Sequence, residues 1–386
     1  MATISPGATI GILGGGQLGR MTAMAARTLG YRIHILDPDP ACAALPVADR
    51  CVTARFDDAD AAADLARHCD VVTLEIEQIG LASLEAASRH APLRPSAGIV
   101  RVVQDRAGQK RWLAAQGLPI GRYRDVASES DLAGAASALG ALVVKANRGG
   151  YDGRSQVRVG TSDSVSDAWR SLGGKPSVAE QALDLEAELS VMIARRPSGE
   201  VRVFPPALNH HERQVLSWSV IPAPLPSKII QRAAEIGEAI ASAFGLEGIL
   251  AVEMFLLRDG TLLVNELAPR PHNSFHETEV GCSTSQFEQL VRAICDLPLG
   301  DPSVLRPAAI VNLFGDLWID GAQPRFESAL AQSRVRLHLY GKPGARPGRK
   351  MGHLSATGDT PQQALAIVQS AAATLHERGV LADAYP

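Results

Sequence analysis

Three consecutive glycines, Gly14 to Gly16, stand between a short apolar run, Thr9-Ile10-Gly11-Ile12-Leu13, and a helical stretch from Gln17 to Leu29 closed by Gly30. A second apolar run, Arg32-Ile33-His34-Ile35-Leu36, follows and stops at Asp37-Pro38. Strand, turn, helix and strand in that order predict a parallel sheet with ligands at the carboxyl ends of its strands. Gly14-x-Gly16-x-x-Gly19, with Asp37 ending the next strand, matches the dinucleotide-binding fingerprint in spacing and context. A backbone free of Cβ approaches phosphate closely, and a helix N-terminus favours an anion. The motif speaks for phosphate more than for nicotinamide. A plain structural turn, a phosphate site and a nicotinamide dinucleotide site all remain readings of it, and Asp37 either touches ribose or caps the turn.

Val71 to Leu74 reads as a further strand and Ile99 to Val103 as a weaker one, before a helix from Gln104 to about Gly117. Leu142 to Lys145 is a strand leading into a second glycine-rich loop, Gly149 to Gly153. Glu188 to Ala194 and Val201 to Phe204 read as strands joined by a Pro-Ser-Gly turn, and Ile229 to Phe244 as an amphipathic helix ahead of strands at 250–257 and 261–266. Prolines near Leu297-Pro298-Leu299-Gly300 and Arg306-Pro307 mark a boundary. Beyond it lie a strand from Arg334 to Tyr340, a basic loop and a closing helix from Thr360 to about Arg378.

The bulk composition excludes several classes. A chain of 386 residues, 46% hydrophobic and 20% charged, buries more than one core and is not wholly disordered. Its 38 basic and 41 acidic residues give a net charge of −3 with no concentration of either sign, so a basic nucleic-acid face is not expected. No apolar run approaches the roughly 18 residues of a membrane helix, and the N-terminus lacks the pattern of a signal peptide. The five cysteines are scattered without a Cys-x-x-Cys pair, which fits reduced thiols and a cytoplasmic location. Only six lysines occur, at 110, 145, 175, 228, 342 and 350, so each compact ammonium draws notice.

The stronger constellation lies downstream. Glu253 and Glu266 flank a hairpin whose tip is Asp259-Gly260. A two-residue turn there sets the two carboxylates opposite each other with Cβ atoms roughly 5 Å apart. Like charges so placed repel unless a cation sits between them, and oxygen ligands select a hard ion such as magnesium. Ala268-Pro269-Arg270-Pro271-His272-Asn273-Ser274 follows at once, and a guanidinium, an imidazole and an amide beside a metal suit a small planar oxyanion. Upstream, Lys145 ends a strand beneath the glycine loop, as a point charge under a flap able to cover phosphates.

Taken together these residues resemble the N5-carboxyaminoimidazole ribonucleotide synthetase family of ATP-grasp enzymes. The resemblance is carried in order along nearly the whole chain. Its carriers are Gly14-Gly15-Gly16-Gln17-Leu18-Gly19-Arg20-Met21, Leu36-Asp37-Pro38-Asp39, Gln104-Asp105-Arg106, Arg148-Gly149-Gly150-Tyr151-Asp152-Gly153, Val264-Asn265-Glu266, residues 268–274, Thr284-Ser285-Gln286-Phe287-Glu288-Gln289 and Pro347-Gly348-Arg349-Lys350-Met351-Gly352-His353. It implies an α/β and α+β chain in three parts. These are an N-terminal Rossmann-like parallel sheet at 1–104, a central ATP-grasp domain at 105–302 and a small C-terminal β-rich domain at 303–386.

It also implies a reaction of ATP, bicarbonate and 5-aminoimidazole ribonucleotide, with magnesium as cofactor, in a cytoplasmic homodimer. Around ATP it sets Arg106, Lys145, Gly150, Tyr151, Asp152, Gly153, Arg154, Ser155, Gln156, Glu180, Gln181, Ala182, Leu183, Glu188, His211, Asn265 and Glu266. Around the ribonucleotide it sets Gly16, Gln17, Leu18, Glu75, Tyr151, Arg349 and Lys350. Glu253 and Glu266 hold the metal, and Arg270, His272, Asp152 and Lys145 are the catalytic candidates.

The chain departs from that pattern at Ser155, at Ala146-Asn147 and at Phe275, where the family usually has glycine after Asn273-Ser274; a phenylalanine there is expected to narrow the bicarbonate pocket or tilt its entrance. His210 and the four tryptophans are expected to serve surface and packing. Rival readings are another ATP-grasp ligase on a phosphorylated amine, a nicotinamide-dependent oxidoreductase, and a non-catalytic nucleotide-binding paralogue.

Overall fold

The computed structural model describes residues 3–149, 156–161, 163–321 and 323–375. Strands β1 (Thr9–Leu13), β2 (Arg32–Asp37), β3 (Arg50–Thr53) and β4 (Val71–Leu74) form an all-parallel sheet in the order β3-β2-β1-β4. Every residue of β1 and β4 is buried, as expected where helices cover both faces of a parallel sheet. The weak strand expected at Ile99 to Val103 is instead a helix, Ala97–Val103. Ile99, Val100 and Val103 are its buried residues, the 3.6-residue period that a short apolar run conceals.

Asp105 then caps the next helix, Arg106–Ala115, by accepting from Gly108 N at 2.8 Å. Strands β5 (Tyr123–Val126), β6 (Leu142–Ala146), β7 (Gln156–Val159) and β8 (Ser177–Gln181) make an antiparallel sheet in the order β5-β8-β6-β7.

The largest sheet has nine strands. These are β9 (Leu185–Arg195), β10 (Val201–Val203), β11 (Ala207–Glu212), β12 (Val215–Ile221), β13 (Gly248–Leu257), β14 (Leu262–Ala268), β15 (Ala308–Phe314), β16 (Val335–Leu339) and β17 (Lys350–Thr357). Its order is β14-β13-β9-β11-β12-β15-β17-β16, with β10 paired to β9. The C-terminal strands therefore extend the central sheet across the β12–β15 edge rather than forming a separate layer. Among the described residues no helix is long and apolar enough to cross a membrane.

The β13–β14 hairpin differs from expectation in its turn. Leu257 N–H donates to Thr261 O and Gly260 N–H to Leu257 O, with Gly260 at φ 83°, so the loop holds three residues, Arg258-Asp259-Gly260. This is the three-residue hairpin ending in a left-handed glycine. Near the tip Met254 therefore pairs with Val264, one residue short of the register a two-residue turn would give. A bulge at Asn265 then takes up the extra residue, and Glu253 pairs with Glu266 after all.

Arg94 fixes the N-terminal domain against the central one. Its side chain, 2% exposed, pairs with Glu247 at 2.8 Å and donates to the Ile294 carbonyl. The Glu247 side chain keeps 29% exposure, so losing Arg94 leaves that carboxylate partly solvated and removes a buried donor from the Ile294 carbonyl, a cost of roughly 1–3 kcal/mol. Arg94→Ala is expected to lower stability by about 2 kcal/mol in urea unfolding; a midpoint unchanged from wild type would contradict that role.

Candidate active site

The first glycine loop is closed by protein, not left open for a dinucleotide. Glu75, just beyond β4, accepts from Gly16 N and Gly19 N at 2.8 Å each. Asp37 accepts from Gly15 N at 2.7 Å and from Asp39 N at 2.8 Å, so it caps the turn. A Cβ at Gly14 would stand 2.4 Å from Glu75 Cγ, and one at Gly16 2.5 Å from Glu75 Oε1. Here the glycines make room for a carboxylate, which already supplies the anion that the helix N-terminus favours. Burial raises the Glu75 carboxyl, while the Gly19 and Gly16 amides and Lys342 act in the other direction. Leu18 is buried beside Met21, Phe287 and Tyr340, and Gln17 is half-buried.

The larger cleft opens between the four-stranded and nine-stranded sheets, around a cavity of about 510 Å³. Glu180 on β8 pairs with Val143 on β6, which makes it the diagonal neighbour of Lys145 on the same face. Lys145 Nζ lies 3.0 Å from Glu180 Oε1, and Lys110 Nζ lies 2.9 Å from Glu180 Oε2. Both ammoniums also reach Asn265: Lys145 donates to its Oδ1 at 3.0 Å and Lys110 to its backbone carbonyl at 3.2 Å. Asn265 Nδ2 donates in turn to Glu253 Oε2 at 3.3 Å. The bulge is what turns Asn265 into this position between lysines and acids.

Each facing acid has a cationic or imidazole partner. Arg106 Nη1 lies 2.8 Å from Glu266 Oε2, and His272 Nε2 lies 3.0 Å from Glu253 Oε1. Burial raises the Glu253 carboxyl, but His272, His211 and Lys145 together hold it below the ordinary carboxylate range. Arg270 pairs with Glu77 at 2.7 Å, and His211 with Glu188 at 2.9 Å. Burial lowers the His211 imidazole, and Glu188 more than reverses that, leaving it raised.

Of the residues expected from the sequence, Arg106, Lys145, Gln156, Glu180, Gln181, Ala182, Leu183, Glu188, His211, Glu253, Asn265, Glu266, Arg270, His272 and Lys350 line this cavity. Gly16, Gln17, Leu18 and Glu75 belong to the N-terminal loop instead. Arg349 is half-buried and donates to the Gly344 carbonyl at 2.7 Å within its own turn. Gly150, Tyr151, Asp152, Gly153, Arg154 and Ser155 lie outside the described residues. His210 stacks on Trp218 at 4.9 Å, and Trp112 on Phe244 at 3.7 Å, which are packing roles.

Phe275 does not narrow the pocket. It is fully buried, edge-on to Phe204 at 6.1 Å, in the apolar core. Lys110 is the functional candidate that sequence reasoning passed over. It stands four residues after Arg106 on one helix, a spacing that sets both on one face.

A second cavity, about 390 Å³, shares Arg106, Glu266 and Arg270 with the first. Two spaces meeting at one acid and two guanidiniums, with paired ammoniums behind, suit a polyphosphate and a second anionic reactant. Facing oxygen donors at Glu253, Asn265 and Glu266 fit a hard divalent ion.

Fold and site define an ATP-grasp enzyme carrying a pre-ATP-grasp domain. The ATP-grasp domain model matches residues 111–287, the ribonucleotide synthetase preATP-grasp domain residues 7–104, and the phosphoribosylaminoimidazole carboxylase C-terminal domain residues 308–367. N5-carboxyaminoimidazole ribonucleotide synthase of Brucella melitensis is 39% identical over 356 residues, 92% of this chain and 97% of that protein. The Bacillus subtilis synthase is 39% identical over 355 residues, 91% of this chain and 92% of its own.

A solved N5-carboxyaminoimidazole ribonucleotide synthetase in complex with ADP superposes with TM-score 0.90 at 40% identity, covering 96% of this chain and 98% of that one. The Aspergillus clavatus synthase, with ADP and 5-aminoimidazole ribonucleotide, gives TM-score 0.88 at 32% identity over 96% and 99%. The chain belongs to the N5-carboxyaminoimidazole ribonucleotide synthase family.

Burial pushes the Glu180 carboxyl up, yet Lys145 and Lys110 hold it at about 2 against an ordinary 4.5. A carboxyl depressed on folding stabilises the fold above its unfolded value and loses that contribution as pH falls toward its folded one. Glu180→Gln is expected to be about 3 kcal/mol less stable than wild type near neutral pH. The gap should narrow as pH falls from 4.5 toward 2. A gap that stays constant over that range in denaturant titrations would contradict the pairing.

Proposed function

We propose that this chain joins bicarbonate to the exocyclic amine of 5-aminoimidazole ribonucleotide at the expense of ATP. The products are N5-carboxyaminoimidazole ribonucleotide, ADP and phosphate. The observation that carries this reading is the convergence of Lys110 and Lys145 on Glu180 and Asn265, beside the facing pair Glu253 and Glu266 in one cavity. Family membership supplies the acceptor, and the relatives solved with ADP and with the ribonucleotide support it.

In this reading a bicarbonate oxygen attacks the γ-phosphorus in line, and the bond to the bridging oxygen of ADP breaks. Lys145 faces the phosphates, and Arg270 and His272 hold the carboxyphosphate. The amine nitrogen then takes the carboxyl carbon, phosphate leaves, and the nitrogen gives up a proton. Carboxyphosphate is labile in water, so residues 150–156 are assigned to cover it, with Tyr151 and Asp152 between the two reactants.

Glu253 and Glu266, with Asn265 beside them, are assigned to magnesium, which when bound would offset charge on the phosphate oxygens. Glu75, Gly16, Gln17 and Leu18 are assigned to the ribonucleotide away from its phosphate, and Lys350 to the phosphate; Arg349 joins Lys350 only if its turn rearranges. Division at 104/105 and 302/303, a homodimer and a cytoplasmic location complete the proposal.

The test is ADP release with the purified chain. Release should require bicarbonate and the ribonucleotide together, and ADP formed equally well without the ribonucleotide would overturn the acceptor. Changes to groups behind a metal ligand already cost roughly 10–100-fold. Glu266→Gln is therefore expected to lose more than about 100-fold in kcat while keeping its circular dichroism, and near-wild-type turnover would refute the metal assignment.

A further inference from the structure

A chain of buried hydrogen bonds leaves the cavity at His272 and ends at an acid that the reaction does not use. His272 Nδ1 lies 2.8 Å from Ser274 Oγ, and Ser274 Oγ lies 2.6 Å from Ser190 Oγ. Asn209 Nδ2 donates to Ser190 Oγ at 3.0 Å, and Ser219 Oγ donates to Asn209 Oδ1 at 2.9 Å. Ser219 Oγ is also 3.2 Å from Glu277 Oε1. Ser190, Ser219, Ser274 and Glu277 are all fully buried, and Asn209 is 7% exposed.

The direction of these bonds is fixed by elementary chemistry. An amide nitrogen only donates and an amide oxygen only accepts. Ser190 therefore receives from Asn209 and passes its own proton to Ser274, which passes its proton to His272 Nδ1. That leaves the His272 proton on Nε2, facing Glu253 Oε1 at 3.0 Å. At the other end Ser219 has one proton and two groups that can only accept it, Asn209 Oδ1 at 2.9 Å and the Ser274 carbonyl at 3.1 Å, of which Asn209 is the nearer. The serine oxygen is then free to accept, and Glu277 is the group beside it.

We propose that Glu277 donates its carboxyl proton to Ser219, sets the direction of the whole chain, and so acts as a positioning residue that fixes His272 Nε2–H against Glu253. Burial pushes the Glu277 carboxyl well above the usual range, with its own backbone amide and Ser219 acting weakly the other way. Its Oε2 has no hydrogen-bond partner, a state far less costly for a neutral acid than for a buried carboxylate. The Ser274 amide also reaches His272 Nδ1, but at 3.4 Å, too long to hold the ring alone. Groups behind a metal ligand orient it and tune it; here the group behind Glu253 is an imidazole whose tautomer is set by residues on β9, β11, β12 and the 277 turn. The inference rests on the roles assigned above to His272 and Glu253.

Nitrogen NMR of the full chain without metal, labelled at histidine and assigned with His272→Gln, reads the tautomer directly. Wild type should give a bare Nδ1 and a protonated Nε2. Glu277→Leu and Ser219→Ala, which cut the chain at separate points, should give mixed tautomers and lower kcat about tenfold with KM for ATP unchanged. Glu277→Gln keeps a donor and should restore both signals and rate.

A wild-type tautomer in Glu277→Leu and Ser219→Ala would overturn the proposal. So would Glu277→Gln failing as badly as Glu277→Leu, since that outcome requires a carboxylate. Wild-type turnover in His272→Gln would remove the assigned role of His272 and leave the tautomer result to decide the chain itself.

Discussion

Two ammoniums share one buried carboxylate, and the geometry of the cleft follows from that. Lys110 is 3% exposed, Lys145 8% and Glu180 8%, so three charges have left water with one positive charge in excess. Burying an ion without a partner costs far more than a fold can supply. The excess is met at close range by the two oxygens of Asn265 and more distantly by Glu253. Lys145 and Glu180 stand on the four-stranded sheet, Asn265 on the nine-stranded one, and Lys110 on the helix between them. The charge cluster therefore joins two sheets that otherwise diverge into a cavity, and its surplus positive charge faces that cavity. A polyphosphate answers both needs.

The facing acids on β13 and β14 show why part of this was legible in the sequence and part was not. Gly260 announced a turn, and the acids on either side announced a pair. The turn has three residues rather than two, which alone would have put Glu253 opposite Asn265. The bulge at Asn265 cancels that error. Nothing in Val264-Asn265-Glu266 marks a bulge, because no glycine is needed when the extra residue keeps an ordinary backbone. A register inferred from a hairpin tip holds only as far as the first irregularity. Ile99 to Val103 failed for a different reason: five apolar-rich residues fit either period, and Ser96 at the N-cap position before them was the better guide, though its side chain makes no cap hydrogen bond.

The N-terminal glycines carry a related lesson. A fingerprint of spaced glycines constrains how closely something approaches a backbone, not what approaches it. In this chain the approaching group is the Glu75 carboxylate, from a strand end 59 residues beyond Gly16. Its arrival there depends on β1 and β4 being neighbours in the sheet, a pairing no local motif encodes. The same topology removes the dinucleotide reading, because a carboxylate on Gly16 and Gly19 would repel a pyrophosphate at that position. Lys110 was hidden for the opposite reason: its motif was visible at helical spacing from Arg106, but its partner Glu180 lies on another element.

Arg106 and His272 explain how two like-charged acids can stand opposite each other as the chain folds. Each takes one oxygen of one acid, at 2.8 Å and 3.0 Å, and Asn265 takes the second oxygen of Glu253. The pair is therefore partnered from the outside, by the Arg106 guanidinium on the flanking helix and by hydrogen bonds from His272 and Asn265. Glu253 and Glu266 both line the cavity, and carboxylate oxygens are the donors a hard cation selects. The arrangement also makes the site sensitive to anything that rotates the His272 ring. Residues 275–278 turn inward directly after it, with Phe275 sealing the apolar core and His276, Glu277 and Thr278 fully buried. A segment that reads as polar in sequence is thus interior in the fold, held by hydrogen bonds of Thr278, His276 Nδ1 and Glu277 Oε1, while His276 Nε2 and Glu277 Oε2 stay without a partner.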